Sequence, residues 1–323
     1  MNYPWMALLF LVVKGVCILA FFAVNAMFLI WLERKVSAKI QNRLGPMVTG
    51  PHGSLQLIAD TVKLLLKENI VPTEADRFVW WLAPFFVAVP TVAAFLCIPF
   101  SATWIVSDLN VGILFICSIT SLCVLGVFMA GWGSNNKYSL LGGMRSAAQI
   151  ISYEVPLLLS VLVVIMEAGT LSMQGIVHAQ EVGWFFLKPN VLVAFLIYLI
   201  SATAEVNRVP FDIPEAESEL VSGYHTEYSG MKFSMFFLAE YANLFIISAV
   251  AATLFLGGWL GPWRPSAVWF LLKVYGIIGF LMWVRWTLPR VRMDQMMAFA
   301  WKILTPVSLI NVLVTGWLLV IKG

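Results

Sequence analysis

The most acidic segment of the chain reads Glu205-Val-Asn-Arg-Val-Pro-Phe-Asp-Ile-Pro-Glu-Ala-Glu-Ser-Glu-Leu-Val-Ser-Gly-Tyr-His-Thr-Glu227. It separates two strongly apolar stretches, Val191 to Ala204 and Phe233 to Leu256, and it holds 6 of the chain's 17 acidic residues. Like-charge repulsion and a neighbouring low-dielectric slab both favour protonation of clustered carboxylates, so such a segment can store and release protons. Its acids are Glu205, Asp212, Glu215, Glu217, Glu219 and Glu227.

The composition is that of a membrane protein. Of the 323 residues, 61% are hydrophobic and only 11% are charged, and the mean hydropathy is +0.89. Apolar runs of roughly 20 residues, the length of a spanning helix, predict an all-α polytopic fold with eight transmembrane helices. The predicted spans are Trp5 to Trp31, Trp80 to Phe100, Val111 to Met129, Ile150 to Met166, Val191 to Ala204, Phe233 to Leu256, Val268 to Leu288 and Phe299 to Ile321.

The basic residues predict the orientation of this single domain, residues 1–323. With eight spans, fifteen of the twenty Lys and Arg residues fall on one side of the membrane and three on the other. The side with fifteen is expected to be cytoplasmic, which places both termini on the outer, periplasmic side of the inner membrane. The long acidic loop, residues 205–231, is then cytoplasmic and within reach of a soluble partner. The net charge of +3 reflects this bias, and nucleic-acid binding is not expected.

An amphipathic helix is predicted over residues 53–68, between the first two spans. Ser54 is expected to cap it, and its short length and polar stripe favour a position in the membrane interface. It could be a connecting helix packed against the bundle or a lateral doorway for a lipid-soluble ligand. The apolar face comprises Leu55, Ile58, Ala59, Val62, Leu65 and Leu66, and the polar face comprises Gln56, Asp60, Lys63 and Lys67.

Three carboxylates are predicted in the cytoplasmic half of the membrane region: Glu154, Glu205 and Glu240. Glu240 lies eight residues beyond Lys232, which is about 12 Å at the helical rise per residue. Buried acids are costly unless protonated or paired, so acids retained in spans commonly mark ion or proton pathways. The alternative is a purely structural ion pair with Arg145, Arg208 or Lys232. Lys273, in the seventh span, is expected to extend its stem to the outer surface.

No redox centre is predicted in this chain. The four cysteines lie in apolar stretches without Cys-x-x-Cys spacing, and the three histidines lie outside the spans. A metal or haem site is therefore not expected. If the protein takes part in redox chemistry, the electron carriers belong to partner subunits.

Several long motifs resemble one known family. They are Pro210-Phe-Asp-Ile-Pro-Glu-Ala-Glu-Ser-Glu-Leu-Val-Ser-Gly-Tyr-His-Thr-Glu-Tyr-Ser-Gly-Met-Lys232, Glu33-Arg-Lys, Gln41-Asn-Arg-Leu-Gly-Pro46, Gly53-Ser-Leu-Gln-Leu-Ile-Ala-Asp60, Gly131-Trp-Gly-Ser-Asn-Asn-Lys-Tyr-Ser-Leu-Leu-Gly142 and Leu288-Pro-Arg-Val-Arg-Met-Asp-Gln295. Together they resemble the H subunit, which is mitochondrial subunit 1, of the proton-pumping NADH–quinone oxidoreductase, respiratory complex I.

The resemblance implies a membrane subunit that contributes to the quinone-access chamber and couples quinone reduction to proton translocation. Quinone would be a bound substrate, held mainly by a soluble neighbouring subunit, and FMN and iron–sulfur clusters would lie in partner subunits. No catalytic residue for electron transfer is expected here. By position, Arg34, Arg43, Asp60 and Arg208 would border the quinone chamber, and Glu154, Glu205, Asp212, Glu215, Glu217, Glu219, Glu227 and Glu240 would couple protons.

Three alternatives remain from the sequence. Homologous subunits occur in hydrogenase-, ferredoxin- and F420-linked proton-pumping complexes. A stand-alone ion-coupled transporter is a second alternative, although no inverted repeat is visible in the spans. An inert membrane anchor for a soluble enzyme is the third.

Overall fold

The computed structural model describes residues 4–214 and 220–322, with only the helical backbone described for residues 4–11 and 322. This part of the chain is helical and contains no β-strand, so the prediction of an all-α membrane protein is confirmed. In chain order the helices are α1 Pro4–Ile40, α2 Gln56–Leu66, α3 Arg77–Ala94, α4 Gly112–Gly133, α5 Lys137–Ala168, α6 Met173–His178, α7 Pro189–Glu205, α8 Gly230–Phe255, α9 Ala267–Thr287, α10 Met293–Phe299 and α11 Thr305–Lys322. A π-helical turn, Ala300–Leu304, joins α10 to α11.

Seven helical units within the described residues are long and apolar enough to cross a membrane: α1, α3, α4, α5, α8, α9 and the continuous α10–α11 unit. The fifth predicted span, Val191 to Ala204, corresponds to α7, which is apolar but only 17 residues long. At the rise of an α-helix this is about 26 Å, slightly less than a hydrocarbon core of about 30 Å.

Two helices extend well beyond their predicted spans. α1 continues past Trp31 to Ile40, and α5 begins at Lys137 instead of Ile150. Asn136 caps α5, since its Oδ1 accepts the backbone N–H of Tyr138 (2.9 Å). A hydropathy pattern ends at the first charges, whereas the backbone hydrogen bonds of a helix continue through polar residues.

Helix α8 forms the centre of the bundle. Every residue from Leu244 to Phe255 is buried, and α8 packs against α1, α3 and α9. Phe245 stacks on Phe95 with ring centroids 5.5 Å apart and meets Phe21 edge-on at the same distance. Such aromatic pairs stabilise beyond the area that they bury. The bundle therefore surrounds the second half of α8, and Glu240 lies one turn before this buried stretch.

Helices α3 and α4 approach so closely that only glycine fits at one contact. A Cβ atom on Gly126 would lie 2.5 Å from Cγ2 of Val87 and 2.9 Å from the carbonyl carbon of Phe86. Small residues at helix contacts of this kind are the means by which membrane helices pack without a hydrophobic driving force between them.

Helix α2 begins two residues later than the predicted cap. Ser54 does not cap it: Leu55 occupies the N-cap position, and no side chain bonds the first turn, so the capping prediction is wrong. Leu57 is buried against the bundle, whereas Ile58 and Val62 are about half exposed. The predicted apolar stripe thus faces outward, and a different face of α2 contacts the protein.

The side chain of Lys273 is half-buried and reaches the connection between α8 and α9. Its ammonium donates to the carbonyl oxygens of Leu256 (2.6 Å), Gly258 (3.0 Å) and Leu260 (2.6 Å), just beyond the end of α8. These carbonyls have no helical partner, and a cation is favoured at a helix C-terminus. The role of this lysine is structural.

We expect Gly126→Ala to destabilise the protein by about 1–3 kcal/mol, because the added methyl group must separate α3 from α4. Gly276→Ala is a matched control: it also lies within a spanning helix, α9, but a Cβ there meets nothing within 4 Å. The midpoint of thermal unfolding in detergent tests both variants. Equal midpoints for the two would contradict this account of the α3–α4 contact.

Candidate functional site

Helix α5 holds the acidic loop against the bundle through a ridge of polar side chains. Gln149, fully buried, donates from Nε2 to the carbonyl oxygens of Ala204 and Phe211, each at 2.7 Å. Ser139 donates to the carbonyl oxygen of Tyr224 (2.9 Å). These two side chains lie ten positions apart on α5, which is about 15 Å along its axis. The two ends of the loop are therefore fixed to the same helix.

Apolar side chains anchor the described parts of the loop. Phe211, Ile213, Leu220 and Tyr224 are all buried. This apolar anchoring was not predicted from the acids of the loop. Three of its predicted coupling residues, Glu215, Glu217 and Glu219, lie outside the described residues.

A buried ion cluster lies where the loop meets the bundle. The guanidinium of Arg208 donates to both carboxylate oxygens of Glu33 (3.0 and 2.8 Å) and lies 3.0 Å from a carboxylate oxygen of Glu240. Arg285 also donates to Glu33, and the Arg208 guanidinium lies over the ring of Tyr241 at 4.3 Å. The side chain of Arg208 is only 4% exposed. The cluster therefore connects α1, α8, α9 and the acidic loop.

Arg208 remains charged in this environment. Burial acts to lower the pKa of its guanidinium, but the carboxylates of Glu240 and Glu33 outweigh burial and hold that pKa well above its ordinary value. The ion pair that the sequence offered as an alternative is thus present for Glu240. Its other two candidate partners lie elsewhere: Lys232 is 3.6 Å from the ring of Trp80, and Arg145 lines a separate cavity near the loop.

Sequence reasoning missed Glu33 and Arg285 as members of the cluster. Glu33 is buried on α1 in line with Ala26 and Ile30, at the spacing of one helical face. Continuing that periodicity beyond Trp31 would have placed Glu33 inside the bundle. Because the first predicted span ended at Trp31, the periodicity was not followed as far as Glu33.

Two adjoining cavities, of about 50 and 30 Å³, connect the carboxylates inside the bundle. Glu240 lines the larger, Glu154 lines the smaller, and Glu205 and Thr120 line both. Each cavity is large enough for at least one water molecule, which needs roughly 10–15 Å³ and polar partners. Ser121 donates a hydrogen bond to Glu154. The order along the cavities is Glu240, Glu205, Glu154, so the structure brings the three predicted intramembrane acids together.

Further along the acidic loop, Glu227 and His225 lie near the N-terminal end of α5. Asn136, the cap of that helix, donates from Nδ2 to Glu227 (2.6 Å). His225 packs edge-on against the rings of Tyr224 and Phe233. Burial lowers the pKa of His225 to about 4, so this imidazole is neutral at pH 7.

Arg34 and Asp60 form an ion pair between α1 and α2 at 2.8 Å. Burial raises the pKa of Asp60, but hydrogen bonds from Arg34 and Gln56 and the charge of Arg34 outweigh it, and the net effect is a lowered pKa. The pair is partly exposed, so it contributes little to stability. Arg43 lies on the turn after α1, where its Nε–H donates to Gln41 (2.6 Å). Two of the predicted entrance residues, Arg34 and Asp60, therefore contact each other. A third, Arg208, pairs with Glu33 on the side of α1 that faces the bundle.

Within the described residues, no group of three or more His, Cys, Asp and Glu side chains could hold a metal ion. The four cysteines are free thiols in the bundle. The arrangement offers carboxylates, arginines and small cavities in which a few polar groups lie among apolar side chains, and these groups suit proton transfer and charge compensation.

We expect Arg208→Gln to destabilise the fold by about 3–5 kcal/mol, because it leaves two buried carboxylates facing a neutral side chain. Arg292→Gln is the control, since Arg292 forms an exposed pair with Asp294 at 3.8 Å and is expected to be neutral. Thermal unfolding of the purified protein measures both. An Arg208→Gln protein as stable as the control would show that the cluster is not a structural requirement.

The lowered pKa of His225 predicts a pH dependence of stability. Between about pH 6.5 and pH 4 the unfolded chain binds a proton at this imidazole that the folded protein does not, so stability falls as pH decreases through this window. His225→Asn should remove that part of the slope, while His52→Asn, at an exposed position, should retain it. Unfolding midpoints from about pH 4 to pH 7.5 provide the measurement, and identical slopes for His225→Asn and wild type would refute the assignment.

Comparison with known proteins gives a consistent result. The family model for NADH dehydrogenase matches residues 13–316. The H subunit of NADH-quinone oxidoreductase from Dehalococcoides mccartyi strain CBDB1 is 52% identical over 307 residues, which cover 95% of this chain and 86% of that protein. The H subunits from Carboxydothermus hydrogenoformans (51% identical, 96% and 89% covered) and Phocaeicola vulgatus (48% identical, 96% and 91% covered) are similar in extent. The resemblance carried by the sequence motifs is thereby confirmed, and the chain belongs to the NADH dehydrogenase family that includes the H subunit of NADH-quinone oxidoreductase.

Proposed function

We propose that this chain forms part of the quinone-access chamber of a proton-pumping NADH–quinone oxidoreductase and couples quinone reduction to proton translocation. The observation that carries the proposal is the continuous set of ionisable groups from Glu33 and Arg208 to Glu240, Glu205 and Glu154, the last three lining adjoining cavities. A chain that served only as an anchor would gain nothing from placing three carboxylates inside the bundle around cavities large enough for water, because each carboxylate costs free energy there.

The entrance to the chamber is assigned to α1 and α2. The outward apolar face of α2 suits contact with lipid or with an isoprenoid tail, and the Arg34–Asp60 pair offers polar partners to a quinone head group. Arg43, exposed on the turn after α1, lies on the same connection. In this proposal α2 is an interfacial helix and α7 crosses the membrane with the seven longer units, which gives eight crossings and places both termini on the periplasmic side of the inner membrane.

The entrance is linked to the buried acids through consecutive residues of α1. Arg34 points to α2 and pairs with Asp60, whereas Glu33 points into the bundle and pairs with Arg208. Arg208 in turn lies 3.0 Å from Glu240. A change of charge at the quinone therefore changes the electrostatic balance of Arg208, which shares its positive charge between two carboxylates. This balance decides how readily Glu240 releases or accepts a proton.

The cavities then provide the route for that proton. Water bridging Glu240, Glu205 and Glu154 would allow transfer between side chains that do not touch one another. From Glu154 the path leads towards neighbouring membrane subunits. The acidic loop, with Asp212, Glu215, Glu217, Glu219 and Glu227, is proposed to respond to quinone reduction on the cytoplasmic side.

The oxidation of NADH is assigned to partners. FMN and iron–sulfur clusters are expected in other subunits of the complex, since the cysteines of this chain are single thiols spread through the bundle. Soluble subunits that hold the quinone head group are expected on the cytoplasmic side, with further membrane subunits and lipid around the bundle. Quinone is the bound substrate, and no role for nucleic acid is proposed.

We expect Glu154→Gln combined with Glu240→Gln to lower NADH–quinone reductase activity on the order of tenfold or more, which corresponds to at least about 1.4 kcal/mol in the barrier. Glu227→Gln and Glu217→Gln should lower activity in the same direction while the complex still assembles. The measurements are NADH-dependent quinone reduction and proton uptake in membrane vesicles, with assembly checked by co-purification of flavin and iron–sulfur absorbance.

Glu181→Gln is the matched control, because Glu181 is an exposed carboxylate paired with His178 and lies outside the site. It should retain wild-type activity. Wild-type turnover and pumping in the Glu154/Glu240 double variant would favour the inert anchor instead. Purification of the chain as a homo-oligomer without flavin would favour the transporter.

A further inference from the structure

The segment Tyr228–Lys232, where the acidic loop passes into α8, contacts two other parts of the protein: α3 and the chain that leaves α2. On one side it binds α3: Tyr228 stacks on the buried Trp80 with ring centroids 4.9 Å apart and donates its hydroxyl to the carbonyl oxygen of the same residue (3.1 Å). The ammonium of Lys232 lies 3.6 Å from that ring, within cation–π range. The start of α8 is thereby fixed to the bundle.

On the other side the segment binds the chain that leaves α2. Ser229 donates from Oγ to the carbonyl oxygen of Glu68 (3.1 Å) and accepts the backbone N–H of Ile70 (3.1 Å). These two backbone groups belong to an irregular stretch after the last turn of α2, where they have no partner in a helix. A single hydroxyl thus pairs with two of them, which fixes the stretch at two points.

Gly230 allows this approach. Its φ of +58° lies in the left-handed region, and a Cβ atom there would lie 3.0 Å from the carbonyl oxygen of Lys67 and 3.5 Å from that of Leu64. A larger residue would strain its own backbone and press against the last turn of α2. The end of α2 and the start of α8 therefore meet at a position that only glycine accepts without adjustment.

We propose that Ser229 and Gly230 are positioning residues that hold the end of α2 at a fixed spacing from the start of α8. This inference rests on the proposed function, in which α2 borders the quinone entrance. Glu240 lies ten residues beyond Gly230, about 15 Å along the same helix. The entrance helix and the helix that carries the central acid are then joined directly, by a route separate from the Arg34–Asp60 and Glu33–Arg208 pairs.

The test uses the assembled complex in lipid nanodiscs with a short-chain quinone. Ser229→Ala removes both hydrogen bonds, and we expect hydrogen–deuterium exchange to increase over residues 64–70 and the KM for quinone to rise about two- to tenfold with kcat nearly unchanged. Ser229→Thr keeps the hydroxyl and should restore both values. Gly230→Ala should act in the same direction as Ser229→Ala, and more strongly.

Gly169→Ala is the matched control for Gly230→Ala. Gly169 has a similar φ of +68°, at the C-terminal end of α5, but a Cβ atom there meets nothing within 4 Å. It introduces the same backbone strain far from α2, so exchange over residues 64–70 and the quinone KM should stay at wild-type values.

Three results would overturn the inference or locate its failure. Unchanged exchange over residues 64–70 in both Ser229→Ala and Gly230→Ala would show that the contact does not hold α2. Increased exchange with an unchanged KM would remove the positioning role, provided that Arg34→Gln raises the KM. If Arg34→Gln also leaves the KM unchanged, the assignment of α2 as the quinone entrance has failed, and the positioning role in quinone entry fails with it.

Discussion

The free-energy cost of burying charge in a low-dielectric bundle is the constraint on which the structure depends. Arg208 lies between Glu33 and Glu240, Arg285 supports Glu33, and the ring of Tyr241 covers the guanidinium. No member of this cluster can be removed without leaving another charge poorly compensated. The cluster is also sensitive to charge in its surroundings. A new charge nearby changes how strongly the Arg208 guanidinium attracts Glu33 and how strongly it attracts Glu240.

The rest of the bundle serves to keep these groups in place. The second half of α8 is buried among aromatic and aliphatic side chains, and α5 binds the acidic loop through Ser139 and Gln149. α1 carries Glu33 and Arg34 on different faces. Rigid helices hold ionisable groups at defined distances more reliably than loops do. In the proposed function, the moving species are protons and water in the small cavities between these helices.

Hydropathy and charge were sufficient to predict the all-α membrane fold and the seven longer helical units. They were less reliable at the edges of helices: α1 and α5 continue through charged and polar residues, because their backbone bonds do not depend on side-chain polarity. The prediction for α2 located the helix, but it did not say which side contacts the protein: Leu57 faces the bundle, while the predicted apolar stripe faces outward. Amphipathicity alone does not say which neighbour an apolar face will contact.

The sequence by itself determined the class of fold and the identity of the family through its long motifs, and it singled out Glu154, Glu205 and Glu240, which line the two adjoining cavities. These follow from local properties: apolar length, motif order and the rarity of charge in a span. Only the tertiary structure decided which groups meet. Glu33 and Arg208 are 175 positions apart in the chain, and Glu33 and Arg285 are 252 apart. Such pairings depend on how helices rotate and pack around α8, and no local pattern encodes that rotation.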